Sequence, residues 1–151
     1  MGIPDFNENG LLPPGVHECT FPEAKDRFAF NDTRLAIWDN LTIAIEKMQA
    51  FALTGTLHLD GSYVTDKAIP GDVDLILDVR NEAQNQQGLA VLFFINNHER
   101  LKLDNVDWWP TLPAQNDFVS FFQYVGQKTA ASKQLQPTDL KGILKVTSWT
   151  P

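Results

Sequence analysis

The spacing of apolar residues predicts a series of helices along the chain. Residues 32–52 carry apolar side chains at intervals of three and four, which is typical of an amphipathic helix, and Asn31 can cap its first turn. The stripe expected to face the core consists of Leu35, Trp38, Leu41, Ile45, Met48 and Ala52. The capping-box pattern Thr20-Phe21-Pro22-Glu23 predicts a shorter helix over 21–28. Two further helices are predicted over 82–97 and 116–127.

Short apolar segments between these helices predict the strands of a sheet. Residues 55–59 and 72–79 combine alternating polarity with β-branched side chains, and they flank a turn-forming segment. Further strands are predicted over 101–109, which Pro110 ends, and over 141–149. Because helices and strands interleave, the sequence predicts one α/β domain with a mixed sheet of about four strands and helices packed on it.

The N-terminal part of the chain has a different composition. Residues 1–16 are rich in Pro and Gly, which suits an extended arm with turns better than a regular element. We therefore expect residues 1–30 to form an extended arm and a short helix, and residues 31–151 to form the domain itself. The polar segment 129–137 is expected to be a mobile loop.

The composition narrows the classes of function. A net charge of −7 and a pI near 4.8 argue against an extended nucleic-acid-binding surface, because such a surface needs clustered Lys and Arg. Cys19 is the only cysteine, so neither an intramolecular disulfide nor a Cys-based metal cluster can form. No segment has the pattern of a signal peptide or the length of an apolar membrane span. We expect a cytoplasmic protein without a membrane partner.

The turn-forming segment carries the candidate chemistry. Asp72 and Asp74 project from the same side of the predicted strand, with Cα atoms roughly 6.5 Å apart, and two such carboxylates repel each other unless a cation lies between them. Hard cations such as Mg²⁺ prefer oxygen ligands. Gly61 lets the backbone approach an anion and Ser62 can donate hydrogen bonds to it. Lys67 can reach a phosphate or can be a solvated loop lysine.

The pattern Gly61-Ser62, nine intervening residues and Asp72-Val73-Asp74 resembles the signature of the DNA polymerase β-type nucleotidyltransferase superfamily, particularly its minimal bacterial members. The chain as a whole also resembles small uncharacterised nucleotidyltransferase-like proteins of bacteria, for which no reaction is known. This wider resemblance runs from Ile3-Pro4-Asp5-Phe6-Asn7 through Gly61-Ser62-Tyr63-Val64-Thr65-Asp66-Lys67 to Lys141-Gly142-Ile143-Leu144.

The resemblance implies a nucleotidyltransferase core and a metal-dependent transfer of an NMP from an NTP to an acceptor hydroxyl. Asp72 and Asp74 would hold two Mg²⁺ or Mn²⁺ ions, and Gly61, Ser62 and Lys67 would contact the nucleotide. Acceptors of small relatives include a partner toxin protein, an RNA end and small molecules, and the acidic charge favours a protein acceptor in a toxin–antitoxin pair. The alternative is a non-catalytic binding module of the same fold, or an antitoxin-like partner protein.

The resemblance also calls for a third carboxylate from the strand beside residues 72–77, where Asp104 and Asp107 are available. In a regular strand they face opposite sides of the sheet, so at most one can join the site. Asp107 has an apolar neighbour on each side and needs a compensating partner, whereas Asp104 is typical of a turn. The sequence therefore favours Asp107 as the third catalytic and metal-binding carboxylate, with a structural aspartate as the alternative.

The histidines and the cysteine offer weaker candidates. His17, His58 and His98 are far apart and none has metal-ligand spacing to another candidate ligand, so a zinc site is not expected. Cys19 precedes a predicted helix N-terminus, where a thiol pKa can be lowered, but no pattern ties a histidine to it.

Overall fold

A five-stranded mixed sheet forms the centre of the protein in the computed structural model, which describes residues 2–115 and 117–149. The strands are β1 (Gly15–Cys19), β2 (Thr56–Asp60), β3 (Val73–Asp78), β4 (Val106–Thr111) and β5 (Gly142–Val146). The helices are α1 (Phe21–Phe28), α2 (Asp32–Ala50), α3 (Gln84–Leu103), α4 (Phe118–Phe121) and α5 (Gln127–Lys133), and a 3₁₀ turn follows β2 over Gly61–Val64.

The strand order in the sheet is β1-β5-β2-β3-β4. The central strand β2 is antiparallel to both β3 and β5, whereas β1 runs parallel to β5 and β4 runs parallel to β3. The predicted α/β domain with one mixed sheet is therefore confirmed. The sheet has five strands rather than about four, because β1 lies partly in the segment expected to be an arm. This strand has only five residues, and its pairing with β5 connects two ends of the chain, so no local pattern marks it.

The first two helices begin as their sequences predict. Thr20 and Glu23 form a reciprocal capping box, and the Asn31 side chain accepts a hydrogen bond from the backbone of Arg34. The buried face of α2 differs from the predicted stripe: Leu35 is exposed, and Ala52 is exposed and lies beyond the helix end. The residues that α2 buries are Arg34, Ile37, Trp38, Leu41, Ala44, Ile45 and Met48.

The boundary between α3 and β4 corrects the prediction. Residues 101–103 form the last turn of α3, and β4 begins only at Val106. Asp104 is the C-cap of α3, and the following Asn105 has a positive φ of 67° that turns the chain into the strand. Pro110 lies inside β4 rather than after it, which is possible because β4 is an edge strand.

The segment after β4 also differs from the prediction. The helix expected over 116–127, whose first residue lies outside the described residues, is only the single turn α4. Tyr124 then pairs with Leu140 in an isolated antiparallel bridge, and α5 occupies most of the segment expected to be a mobile loop. The aromatic spacing in this segment serves packing against the sheet: Phe118 and Phe122 pack on a cluster that contains Ile76 and Ile143.

The sheet has a different cover on each face. The main core packs α1, α2 and α3 against side chains such as Leu57, Leu75 and Trp108. The side chains of the opposite face include His58, Asp60, Asp74, Ile76 and Asp107. They share this face because side chains alternate along each strand, and because His58 pairs with Ile76 and Asp74 pairs with both Asp60 and Asp107 on the neighbouring strands. The α4 segment partly covers this second face. Within residues 2–115 and 117–149, no helix has both the length and the apolar character that crossing a membrane requires.

Candidate metal centre

Three carboxylates converge at one end of the parallel strand pair. Asp72, Asp74 and Asp107 each offer an oxygen atom, and these atoms lie within 4.8 Å of one another. Asp74 and Asp107 are register partners on β3 and β4, and Asp72 precedes β3 by one residue. The structure therefore brings together the carboxylates that the sequence paired, with Asp107 rather than Asp104 as the third. Asp104 caps α3 instead, and its carboxylate lies 3.5 Å from Arg100 Nε.

Asp74 is the carboxylate of this group whose ionised form a bound cation would stabilise most. Its side chain accepts no hydrogen bond from the residues that the structure describes. Burial, together with the neighbouring negative charges of Asp72 and Asp107, raises the pKa of Asp74 to about 7. A divalent ion at this position would reverse both effects, because it would compensate for the lost hydration and neutralise the like charges.

Two residues of α3 already contact the other carboxylates. Lys102 Nζ lies 2.9 Å from Asp72 Oδ2 and 3.1 Å from Asp107 Oδ2, and the two carboxylates raise the pKa of the lysine. His98 Nε2 lies 3.3 Å from Asp107 Oδ1. The sequence interpretation missed both residues because it ended the helix at 97. In a helix that continues to residue 103, positions 98 and 102 share one face, and this spacing is the signal that could have found them.

The 3₁₀ turn brings backbone close to the carboxylates. Gly61 has a φ of 80°, and a Cβ atom there would overlap the Asp74 carboxylate, so the close approach depends on glycine. Ser62 follows at the rim of two adjoining cavities, and its hydroxyl makes no hydrogen bond to a described residue. Backbone N–H groups at the start of a helical turn can donate hydrogen bonds to an anion.

Arg34 of α2 holds this turn from behind. Its side chain is fully buried, and Nε and Nη2 both donate to the Lys67 carbonyl, at 3.0 and 2.6 Å. Nη1 donates to the carbonyls of Phe28 and Tyr63, and Nη2 also donates to that of Thr65. All five N–H donors of the guanidinium are thus used. Sequence reasoning missed Arg34, because a single charged residue at a helix start gives no sign that it will be buried.

Asp60 and Lys141 are two further buried titratable residues beside Asp74. Asp60 is fully buried, neither of its oxygens has a hydrogen-bond partner among the described residues, and burial raises its pKa well above the usual range. Lys141 is also buried, which lowers its pKa, while the charges of Asp60 and Asp74 oppose that shift. Neither residue was predicted as part of the site; the position of Asp60 next to Gly61 was the available signal.

One cavity adjoins the Asp74 carboxylate, and a second cavity shares Ser62 and Thr129 with it. The first has a volume of about 340 Å³ and extends from Asp74 and Lys141 to three aromatic side chains, Phe121, Phe122 and Tyr124. The second has a volume of about 380 Å³ and is lined by polar and charged residues. Its lining contains Ser62, Thr65, Asp66, Lys67, Lys128, Thr129, Ser132 and Lys133. Lys67, predicted to contact nucleotide, therefore lies in the second cavity, apart from the carboxylates.

The remaining candidates have structural surroundings. Burial raises the pKa of Cys19 to about 12, with a contribution from Glu23, so this thiol lacks the lowered pKa that a helix N-terminus can produce. His17 Nε2 lies 2.7 Å from the Pro13 carbonyl oxygen. His58 is buried in the sheet, and burial lowers its pKa to about 4. His98 alone among the three histidines reaches the carboxylate group.

Comparisons with known proteins identify a family but no activity. Residues 4–147 match DUF6932, which is described as a family of unknown function. The match covers most of the chain, so the protein belongs to this family. No curated protein and no solved structure matches the chain.

Proposed function

We propose that this DUF6932 protein is a metal-dependent nucleotidyltransferase. The observation that carries the proposal is the convergence of Asp72, Asp74 and Asp107 beside the Gly61-Ser62 turn. In the proposed reaction an acceptor oxygen bonds to the α-phosphorus of an NTP, and the bond from that phosphorus to the β-phosphate bridging oxygen breaks. Pyrophosphate leaves, and the acceptor hydroxyl passes its proton to the Asp107 carboxylate.

The donor set suits Mg²⁺ or Mn²⁺. Three carboxylate oxygens within 4.8 Å of one another, without a sulfur ligand in the group, favour a hard cation. Such an ion neutralises charge on the reacting phosphates when it is bound. Asp72 and Asp74 would hold the ion, which would compensate for the burial of the Asp74 carboxylate and for its lack of a hydrogen-bond partner among the described residues.

The first cavity fits the nucleoside part of the substrate. Its volume of about 340 Å³ lies within the usual range for ligand pockets, and it has carboxylates at one end and aromatic side chains at the other. We place the base against Phe121 and Tyr124, whose aromatic rings can stack on any of the four bases, and the α-phosphate near Asp74.

The second cavity fits the terminal phosphates. Three lysines, Lys67, Lys128 and Lys133, surround about 380 Å³ in a chain whose net charge is −7, and the cavity joins the first one at Ser62. Lys133 lies 3.0 Å from Asp66, whereas Lys67 and Lys128 form no ion pair within residues 2–115 and 117–149. A triphosphate that passes Ser62 would therefore reach uncompensated positive charge.

The acceptor and compartment complete the proposal. The net charge of −7 disfavours a long nucleic-acid acceptor, so we propose a hydroxyl on a partner protein, as in a toxin–antitoxin pair. A buried, unpaired Cys19 is compatible with a reducing cytoplasm. Extended nucleic acid and membrane are not among the proposed partners.

A second candidate function is a non-catalytic binding module. The observation that favours it is Lys102, whose ammonium group lies between Asp72 and Asp107, where a divalent ion could otherwise bind. In such a module the carboxylates and the lysine form a structural ion network, and neither metal nor NTP binds.

Metal-dependent binding of the four NTPs, followed by thermal shift and by calorimetry, separates these two functions. Asp74→Asn should abolish the Mn²⁺-dependent stabilisation by NTP, because the unpaired carboxylate is lost. Asp104→Asn is the matched control, since it makes the same chemical change at the α3 cap outside the carboxylate group. Ligand-induced shifts are compared within each variant, because removal of a buried charge alters the stability of the free protein.

The decisive contrast concerns the metal. Equal NTP affinity in Mn²⁺ and in excess chelator would contradict the proposed metal centre and favour the binding module. If binding is metal-dependent, Asp107→Asn should abolish pyrophosphate release in the presence of acceptor while largely sparing NTP binding, because Asp107 acts on the attacking side.

A further inference from the structure

The ammonium group of Lys102 contacts two of the three carboxylates. Its nitrogen atom lies 2.9 Å from Asp72 Oδ2 and 3.1 Å from Asp107 Oδ2, both within the usual range of N–H···O hydrogen bonds. The residue before it, Leu101, is buried in the main core, which fixes the end of α3 beside β4. The lysine is therefore presented to the carboxylates by a packed element.

The three carboxylates differ in the number of hydrogen-bond partners that their oxygens have. Asp107 has a partner on each oxygen, because His98 contacts Oδ1 and Lys102 contacts Oδ2. Asp72 has one oxygen engaged by Lys102. Asp74 has no hydrogen-bond partner among the described residues and is largely buried. The carboxylate oxygens that no described cationic side chain contacts are therefore those of Asp74 and the second oxygen of Asp72.

Charge compensation points to the same position. The opposite charges of Asp60 and Lys141, which are buried beside Asp74, cancel when both groups are ionised. When a divalent ion binds, the three carboxylates are ionised and carry three negative charges, of which Lys102 neutralises one. A single divalent ion at Asp72 and Asp74 would neutralise the other two. A second protein-held divalent ion would leave an excess of positive charge and would have to displace the lysine from both carboxylates.

We propose that Lys102 is the resident cation of the Asp72–Asp107 position, so that the free protein binds one divalent ion rather than two. This inference rests on the proposed metal-dependent function and changes its expected stoichiometry. Lys102 is a positioning residue: it holds Asp107 beside the reacting group and supplies fixed positive charge at a position where the sequence resemblance implied a metal ion.

Counting bound Mn²⁺ by electron paramagnetic resonance tests the inference on the full chain without nucleotide. Wild-type protein should bind one ion, and Lys102→Met should bind two, with the second ion at least ten-fold tighter than any second ion on the wild type. Lys102→Arg keeps the charge and should remain at one ion. Lys25→Met removes the same charge from an exposed position on α1 and should also remain at one.

The possible outcomes are distinct. Two tight ions on the wild type, or one on a folded Lys102→Met, would overturn the resident-cation role while leaving a metal-dependent function intact. Binding of no Mn²⁺ by any variant would overturn the metal centre itself and the inference with it. Should Lys102→Met not fold, Lys102→Gln serves the same comparison, and the wild-type stoichiometry alone can still refute the inference.

Discussion

Replacement of Arg34 tests how the Gly61-Ser62 turn is held in place. The guanidinium of this fully buried residue donates to five backbone carbonyls, and four of them belong to residues 62, 63, 65 and 67. The Ser62 carbonyl also accepts from Thr65, so four carbonyls have no other donor among the described residues. Arg34→Met keeps much of the apolar stem and removes every donor. Arg34→Lys keeps the charge, but it offers three donors from one nitrogen and loses the planar fork.

The magnitude follows from the carbonyls that lose their donors. Each buried acceptor left unsatisfied costs about 1–3 kcal/mol, so four of them correspond to about 4–12 kcal/mol before any relaxation. Because Arg34→Met also removes the desolvation penalty of a buried guanidinium, several kcal/mol of this loss are offset. We expect Arg34→Met to lose about 4 kcal/mol of unfolding free energy, a large part of the 5–15 kcal/mol typical of a domain, and Arg34→Lys to lose about 2–3 kcal/mol.

Urea unfolding measures this loss, and amide exchange of residues 62–67 locates it. Arg27→Met is the matched control, because Arg27 also donates to backbone carbonyls, at Ile3 and Pro4, but is only part-buried. Its replacement should cost less than about 1.5 kcal/mol. Arg34→Met should in addition weaken NTP binding, since the turn that presents Ser62 loses its support.

A folded Arg34→Met variant whose unfolding free energy lies within about 1 kcal/mol of the wild-type value, and whose amides at residues 62–67 remain protected, would contradict this role of Arg34. In that case the turn is held by its own bonds, such as the one from Thr65 Oγ1 to the Ser62 carbonyl, and Arg34 contributes little.

Three further substitutions probe the site and its surroundings. Gly61→Ala should abolish Mn²⁺ binding in calorimetry, because its Cβ would overlap the Asp74 carboxylate, whereas Gly126→Ala shares the φ of 80°, meets no atom, and should retain binding. Ser62→Ala should weaken NTP binding by about 1–2 kcal/mol without unfolding the domain, and unchanged affinity would contradict the phosphate role. Burial lowers the pKa of His58 to about 4, so the unfolded chain takes up a proton below pH 6.5 that the folded chain does not, and stability falls as pH falls through this window. His58→Leu should remove up to about 3 kcal/mol of that loss in urea titrations at pH 7 and pH 4, and an unchanged acid dependence would contradict it.

Elements with local signals were predictable from the sequence. The starts of α1 and α2 depend on capping side chains within three residues of each helix start, which the sequence shows directly. The segments with alternating polar and apolar residues do form the paired strands β2 and β3. Strand β1 was not predictable, because it exists through its pairing with β5 at the other end of the chain. The end of α3 was wrong because Leu101-Lys102-Leu103 alternates like a strand, although Leu103 is in fact exposed.

The candidate site was predictable only as far as strand geometry reaches. Alternation placed Asp72 and Asp74 on one side, and the preference for Asp107 agrees with the observed convergence. Asp104 does lie in a turn, as its sequence context indicates, but the alternation argument does not apply to it because β4 begins only at Val106. Lys102 and Arg34 act through contacts with segments about 30 residues away in the chain, and no local pattern encodes those contacts.

The position of Asp107 depends finally on where β4 begins relative to β3. Asn105 sets this point, because its side chain donates to the Gly71 carbonyl at 2.9 Å and its own carbonyl accepts from Val73 N at 3.0 Å. Its positive φ of 67° ends the helical segment and starts the strand within one residue. A shift of one residue would turn Asp107 to the face where Trp108 packs in the core. A short turn between α3 and β4 thus fixes the third carboxylate against the first two, while the same helix end supplies the lysine that contacts it.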